Sequence, residues 1–392
     1  MSHPLRSGDG FRWIFFEGPA FDYYDYTGRM YYLHRAEFFT HPGYKWYYPA
    51  AGIFPLQFFY SIGRWSNTWL AGYLSYVAIA VTGAVIAALK AAKGLGTFGV
   101  SRRAALTFTL SAVLFSWPIY FSLERGNIES ITWLLLAGAL FAYGKERWVL
   151  AAVLLGTVAA FKFYPALCFA LFLRPRRWKE LGAGVLTMVA VTIAALRYIL
   201  PDVLAAMRGV SSGMAQWIND YARSYGPQSA TYDHSLYELV KVVTQGLKPN
   251  YATFLEHYML VIGVIALGVF FARVIRLPRT NQVIFLITAA VYLPPASLDY
   301  TLQNLYVALG WLVLAVVAAA RRGTLTRAME CSVLLFAFVL GPETFLMWHD
   351  VTAAGLLKSV LLLMLLIVTV AFPMEEIGGS RGVGPVDAAE RA

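Results

Sequence analysis

Two carboxylates lie in a stretch that is otherwise rich in aromatic side chains. Asp22 and Asp25 fall within residues 21–26, and the polar, aromatic character continues through Tyr48 and Pro49. A hydroxyl is a poor nucleophile at neutral pH, and a carboxylate can act as its general base. We therefore interpret this stretch as the catalytic loop of a membrane enzyme, with Asp22 as the first candidate for the base and Asp25 as the second. A helix N-cap or a solvated loop acid is the alternative for Asp22.

Two basic side chains stand beside apolar sequence, at Arg125 and Lys162. Placing a lysine at membrane depth costs roughly 2.5–3.5 kcal/mol, and a lipid phosphate at the interface would offset that cost. Snorkelling to the lipid headgroups is the alternative for both. Asn127 is expected to begin a helix, with Glu124 or Arg125 as the nearby functional group, and Tyr164 accompanies Lys162 as a substrate-binding candidate.

Further polar candidates lie later in the chain. His234 could hydrogen-bond a phosphate or a sugar, or it could cap a loop. Asp299 and the pair at 349–350 are weaker candidates for the same site. A metal site built from Asp22, His234 and Asp350 is conceivable, but no local ligand spacing supports it, so we predict no cofactor and leave a divalent cation open.

The composition indicates which elements must position these groups. The chain has 392 residues, of which 59% are hydrophobic and 14% charged, and its mean hydropathy is +0.58. Soluble proteins carry about 25% charged residues, so the composition predicts an all-α polytopic membrane protein. The net charge of +10 comes from basic residues in short loops between apolar runs, which indicates loops facing anionic lipid and not a nucleic-acid partner.

The apolar runs define three parts of the chain. Residues 1–67 are predicted to form an outer-face loop with a re-entrant or interfacial helix, residues 68–373 a transmembrane bundle with an outer loop at 201–256, and residues 374–392 a disordered cytoplasmic tail. We expect about ten to eleven transmembrane segments. The runs lie at about 69–89, 104–121, 128–143, 148–161, 163–173, 181–200, 257–275, 281–294, 302–320, 329–347 and 355–372.

Two consecutive runs, 148–161 and 163–173, are too short for ordinary spans of about 20 residues. Residues 161–165 separate them, so we predict a short helical hairpin or a broken span. Counted as two crossings, this pair makes the basic loops fall on one face, which the positive-inside rule assigns to the cytoplasm. These loops contain Lys90, Lys93, Arg102, Arg103, Lys145, Arg147, Arg174, Arg176, Arg177, Lys179, Arg273, Arg276, Arg279, Arg321, Arg322 and Arg327.

Four short blocks of polar and aromatic residues follow one another along the chain. They are Asp22-Tyr23-Tyr24 with Gly28-Arg29 and Tyr48-Pro49-Ala50; Arg125-Gly126-Asn127; Lys162-Phe163-Tyr164-Pro165; and Pro295-Ala296-Ser297-Leu298-Asp299-Tyr300. In this order they resemble glycosyltransferase family 87, a group of polyprenyl-phosphate-dependent enzymes of the GT-C fold that includes bacterial mannosyltransferases of lipid and glycan assembly. The third block, Lys-x-Tyr-Pro before an apolar run and a basic loop, is the most specific.

The resemblance implies an inverting transfer of a hexose, with mannose as the default, from polyprenyl phosphate to a lipid or glycan acceptor on the outer face of the cytoplasmic membrane. It implies Asp22 as the base and Arg125, Lys162 and His234 around the donor phosphate. The chain departs from the family in having Tyr-Pro-Ala for Tyr-Pro-Pro and no apolar helix before the acidic loop. The alternatives are a transporter or lipid flippase, which would use the broken segment, and an inactive homologue.

Overall fold

The computed structural model describes residues 48–173, 176–224, 233–244, 251–341, 347–348 and 351–374. The regular secondary structure of these residues is helical apart from an isolated bridge between Asp233 and Leu298 and one antiparallel pairing of two-residue strands, β1 (Met347–Trp348) and β2 (Val351–Thr352). Short 3-10 helices cover Ala50–Gly52, Tyr164–Phe172, Val274–Arg276 and Asp299–Asn304. The α-helices are Ile53–Trp65 (α1), Trp69–Thr97 (α2), Arg102–Leu114 (α3), Trp117–Arg125 (α4), Glu129–Gly144 (α5), Trp148–Phe161 (α6), Trp178–Ile199 (α7), Val203–Ser224 (α8), Leu236–Thr244 (α9), Tyr251–Ala272 (α10), Arg279–Tyr292 (α11), Leu305–Arg322 (α12), Arg327–Leu340 (α13) and Ala353–Ala371 (α14).

Within the described ranges, four helical stretches are long and apolar enough to cross a membrane. They are Leu70–Thr97, Trp178–Ile199, His257–Arg276 and Asp299–Arg322, and the pair α3 and α4, bent by 45°, would make a fifth. The expected count of ten to eleven is therefore not confirmed. Several apolar runs fold instead into helices of 10–17 residues, and at 1.5 Å per residue these are shorter than a hydrocarbon core of about 30 Å.

The chain breaks at Lys162, as the sequence predicts. Helix α6 ends at Phe161, and Lys162 has extended backbone angles of φ −143° and ψ 133°. The 3-10 helix Tyr164–Phe172 follows, with Pro165 in its first turn. Because proline has no N–H, it cannot donate to the carbonyl four residues earlier, so the α-helix cannot continue through this point. The 3-10 helix packs back against α6, which gives a short hairpin with Lys162 at its tip.

Two glycines let α6 and α7 pack closely. A Cβ atom at Gly156 would lie 2.3 Å from the carbonyl oxygen of Gly184, and a Cβ at Gly184 would lie 2.6 Å from the ring of Phe169. Small residues at helix contacts allow this close approach of backbones. Since Phe169 belongs to the 3-10 helix, the same contact fixes the hairpin that carries Lys162.

The two ends of α6 differ in charge and in surroundings. At its start, the ring of Trp148 has the guanidinium groups of Arg177 and Arg279 at 5.1 and 5.7 Å from its centroid. Lys162 follows the other end, about 21 Å away along a helix with a rise of 1.5 Å per residue. Two of the basic loops therefore meet at one end of the bundle, and the candidate site lies at the other.

Candidate functional site

The centre of the site is a buried carboxylate, Glu129, at the first position of α5. Its Oε2 lies 3.1 Å from Nζ of Lys162. Its Oε1 accepts hydrogen bonds from the hydroxyl of Tyr164 and from Nδ2 of Asn304 at 2.6 Å. Three elements distant in sequence thus meet at one carboxylate: the start of α5, the hairpin tip and the end of the 3-10 helix Asp299–Asn304.

The carboxylate of Glu129 is buried, and groups of opposite charge or dipole lie beside it. The side chain is fully buried, with 0% exposure, and a buried charge is costly unless it is paired and hydrogen-bonded. Lys162 supplies the opposite charge, and the position at a helix N-terminus adds the favourable end of the helix dipole. Glu129 is therefore suited to holding the ammonium group of Lys162 in place.

Lys162 is held from more than one side. Its Nζ lies 4.7 Å from the ring centroid of Tyr48 and 5.7 Å from that of Tyr300, both within the range of cation–π attraction. Its side chain remains 13% exposed. An ammonium group has three N–H donors, so it can bind Glu129 and a further anion at the same time.

Arg125, the last residue of α4, also lies beside the ring of Tyr300. Its guanidinium carbon lies 5.9 Å from the centroid of Tyr300 and 5.6 Å from that of Phe121. These two rings are stacked, with centroids 6.1 Å apart and planes inclined by 14°. Gly126 ends α4 in the left-handed conformation, with φ 63°, so the chain turns at once into α5. Tyr300 thus lies beside both predicted phosphate-binding cations.

Asn127 is predicted to begin a helix, and it lies two residues before the first residue of α5, whose N-cap is Ile128. Its Oδ1 accepts the backbone N–H of Glu129 at 3.0 Å, and its Nδ2 donates to the hydroxyl of Tyr48 at 3.1 Å. The hydroxyl of Tyr76 donates to the backbone carbonyl of Asn127 at 2.7 Å. The side-chain amide of Asn127 therefore holds the backbone of Glu129 and the hydroxyl of Tyr48 in position.

The 3-10 helix Asp299–Asn304 is anchored beside the site by neutral polar groups. The hydroxyls of Ser122 and Ser130 are 2.9 Å apart, and Nε2 of Gln303 donates to Ser122 at 3.3 Å. All three side chains are buried. This contact joins α4, α5 and the 3-10 helix, so the positions of Tyr300 and Asn304 relative to Glu129 are fixed.

A second buried cluster lies at the start of the same 3-10 helix. Nε2 of His234 lies 2.7 Å from Oδ1 of Asp299, and Nζ of Lys358 lies 3.4 Å from the same oxygen. Nδ1 of His234 lies 3.3 Å from the carbonyl oxygen of Gly355. The backbone N–H of His234 donates to the carbonyl of Ser297 at 2.8 Å. The structure thus joins His234 to the Pro-x-Ser block, a pairing that the sequence alone did not indicate.

The predicted residues divide into two groups. Asn127, Lys162 and Tyr164 contact Glu129, and Arg125 lies beside Tyr300 next to Lys162. His234 and Asp299 form the second cluster. About 10 Å of 3-10 helix separates Asp299 from Asn304, at about 2 Å per residue. Asp22, Asp25 and the pair at 349–350 lie outside the described residues.

Sequence reasoning missed three residues: Glu129, Asn304 and Lys358. Glu129 and Lys358 had a usable signal, because each is an ionisable residue inside a predicted apolar run, and such residues mark ion pairs or functional sites. Asn304 had no such sequence signal, because a single asparagine near the start of a helix is common. Among the residues that the structure describes, no group of three or more His, Cys, Asp or Glu side chains could hold a metal ion.

Comparison with known proteins identifies a family match over more than half of the chain. The sequence model of glycosyltransferase family 87 matches residues 46–297. These residues include Arg125, Lys162 and His234, whereas Asp22 and Asp299 lie beyond their limits. No curated protein matches the chain, and no solved structure matches it.

Proposed function

The chain belongs to glycosyltransferase family 87, and from this premise we propose that it transfers a hexose from a polyprenyl-phosphate donor to a lipid or glycan acceptor. Mannose is the default sugar by resemblance. The reaction takes place at the outer face of the cytoplasmic membrane, at the end of the bundle opposite the basic loops. Family membership favours this enzyme over the transporter or lipid flippase.

One observation carries the proposal: two cations from different elements lie beside a single ring, and one of them, Lys162, is 13% exposed. Lys162 and Arg125 lie 5.7 and 5.9 Å from the centroid of Tyr300. The donor phosphate gains negative charge as its bond to the sugar breaks, and fixed cations stabilise that charge. Lys162 acts as a point charge, whereas Arg125 offers two parallel N–H groups to phosphate oxygens.

The transfer is a single displacement with inversion at the anomeric carbon. The acceptor hydroxyl oxygen forms the new bond to this carbon, and the bond from the carbon to the phosphate oxygen breaks. The acceptor proton goes to Asp22, and polyprenyl phosphate leaves with the electron pair of the broken bond. The transition state resembles the oxocarbenium-like state of glycoside hydrolysis.

Glu129 is a positioning residue in this proposal. Its Oε1 accepts from Tyr164 and Asn304, and its Oε2 lies 3.1 Å from Nζ of Lys162, so both oxygens face groups that they hold in place. His234 is fully buried, and both of its ring nitrogens face oxygens of the protein. We therefore assign His234 to holding the 3-10 helix that carries Tyr300.

The test is sugar transfer by the purified chain in lipid nanodiscs, with a radiolabelled short-chain polyprenyl-phosphate mannose and a membrane-lipid extract. Lys162→Met and Arg125→Gln are expected to abolish or strongly reduce transfer. Arg279→Gln removes a cation at the opposite end of the bundle and is expected to retain it. Equal transfer by all three variants would contradict the phosphate site. Absence of transfer by the wild type with mannose, glucose and galactose donors would contradict the function.

A further inference from the structure

Two buried oxygens at the site are without a hydrogen bond from any described residue, Oε2 of Glu129 and Oδ1 of Asn304. Oε2 of Glu129 lies 3.1 Å from the ammonium of Lys162, whereas no donor among the described residues pairs with Oδ1 of Asn304. The orientation of this amide is set by its neighbours. Nδ2 lies 2.6 Å from Oε1 of Glu129, 2.9 Å from the carbonyl oxygen of Thr301 and 3.1 Å from the hydroxyl of Tyr164. The carboxylate and the carbonyl can only accept, so the nitrogen must face them and the oxygen must face away.

An acceptor buried in this way needs a donor. Asn304 is 1% exposed, and a buried acceptor without a partner loses the hydrogen bonds that it makes with water in the unfolded chain. Within the described part of the chain, a fully paired buried asparagine offers a comparison. At Asn281, Nδ2 donates to the carbonyls of Thr369 and Phe372, and Oδ1 accepts the N–H of Met374.

The groups around Asn304 suit a hydroxyl better than any other donor. The ammonium of Lys162 stands at the far side of Glu129, 3.1 Å from Oε2. A hydroxyl both donates and accepts, so it can donate to Asn304 Oδ1 and accept from a cation. The rings of Tyr48 and Tyr300 flank Lys162 and offer apolar faces to the C–H groups of a ring. A carboxylate, an amide, a cation and aromatic rings together provide the contacts that a pyranose requires.

We propose that Asn304 and Glu129 form the subsite that recognises a hydroxyl group of the transferred sugar, beside the cations that hold its phosphate. Oδ1 of Asn304 accepts directly from that hydroxyl, and Glu129 orients the amide through Nδ2. This inference rests on the proposed function, and it makes Asn304 a determinant of which hexose is transferred. A donor sugar without that hydroxyl leaves Oδ1 unpaired in the bound state, and the site discriminates against it.

The test pairs changes in the protein with changes in the sugar. Wild type, Asn304→Ala and Asn281→Ala are compared in nanodiscs with the preferred polyprenyl-phosphate hexose and its 2-, 3-, 4- and 6-deoxy analogues. For the wild type, one deoxy donor is expected to lower kcat/KM by about tenfold or more, the effect of one hydrogen bond. In Asn304→Ala that particular loss is expected to vanish, while the other deoxy effects remain. In Asn281→Ala all deoxy effects are expected to match the wild type.

Three outcomes overturn the inference. If every deoxy effect is the same in Asn304→Ala as in the wild type, Oδ1 pairs with an ordered water and not with the sugar. If Asn281→Ala loses the same deoxy effect as Asn304→Ala, the loss reflects general loosening of the fold. If the wild type transfers none of the hexoses, the proposed function fails, and the sugar subsite fails with it.

Discussion

The ammonium nitrogen of Lys162 lies 3.1 Å from Oε2 of Glu129, and the carboxylate side chain is fully buried. The pair joins the break after α6 to the start of α5. Breaking a buried pair from one side leaves a charge without compensation, whereas removing both charges does not. Single and double variants of Lys162 and Glu129 can therefore distinguish the contribution of the ion pair to stability from the contribution of Lys162 to substrate binding.

Lys162→Met is expected to lower the free energy of unfolding by about 3–5 kcal/mol, because it leaves Glu129 buried and unpaired. The double variant Lys162→Met, Glu129→Gln is expected to regain most of this loss and still transfer no sugar. Titration with SDS measures the stability, and transfer in nanodiscs measures the activity. Glu146→Gln, which removes an ion pair of half-exposed side chains with Arg279, serves as a control that should change stability by less than about 1 kcal/mol. Activity in the double variant would contradict a role of Lys162 at the phosphate.

Arg125→Lys keeps the charge and removes the planar guanidinium that lies over Phe121 and Tyr300. Because lysine cannot bind phosphate oxygens bidentately, kcat/KM for the donor is expected to fall by about tenfold to a hundredfold, the effect of one charge-assisted hydrogen bond. Tyr300→Phe keeps the ring and should stay close to the wild type. Steady-state kinetics with varied donor concentration test both. Wild-type kinetics in Arg125→Lys would show that only the charge matters.

Gly184→Ala is expected to destabilise the protein by about 1–3 kcal/mol through overpacking, because its Cβ would lie 2.6 Å from the ring of Phe169 and 2.9 Å from the carbonyl oxygen of Ala152. Gly182 lies on the same helix with no atom within 4 Å of its Cβ position. Gly182→Ala is therefore expected to be neutral or slightly stabilising, as alanine favours helix. Thermal unfolding of the two variants side by side tests this contact. Equal stability of the two variants would contradict the close packing of α6 on α7.

Asp299→Asn is expected to lower stability by about 3–5 kcal/mol, since Lys358 would be left buried without its counter-charge. The side chains of Asp299, Lys358 and His234 are at most 3% exposed. Asp202→Ala is the matched control, because this exposed carboxylate caps α8 by accepting two backbone N–H groups, and such caps contribute about 1 kcal/mol. An equally small effect at Asp299 would show that water enters the cluster.

The sequence predicted local features of the site better than its centre. The break at Lys162 follows from one proline in an apolar run, so it could be predicted. The start of α5 could be predicted to within two residues, because the Asn127 side chain accepts the backbone N–H of Glu129. Glu129 could also have been found, because an acid inside an apolar run needs a partner. Asn304 meets Glu129 only through the packing of α5 against the 3-10 helix, which a single sequence does not reveal.

The expected ten to eleven spans are not confirmed among the described residues, and a physical reason limits what hydropathy can predict. Hydropathy does not distinguish a helix that crosses the membrane from a short helix buried in the protein. Helix α11 has 14 residues, and from Thr280 to Tyr292 every residue is buried. Its apolar character therefore reflects contact with other helices. Among the described residues, long candidate spans are fewer than apolar runs, and α11 shows that such a run can form part of the core.

The most direct test of the central claim is transfer of radiolabelled mannose from a short-chain polyprenyl phosphate by the wild type, Asp22→Asn and Asp25→Asn in nanodiscs. Matched folding of the three proteins is the control. We expect transfer by the wild type and Asp25→Asn, and loss of at least about a hundredfold in Asp22→Asn, within the range that general-base catalysis contributes. Equal transfer by the wild type and Asp22→Asn would contradict the assignment of the base.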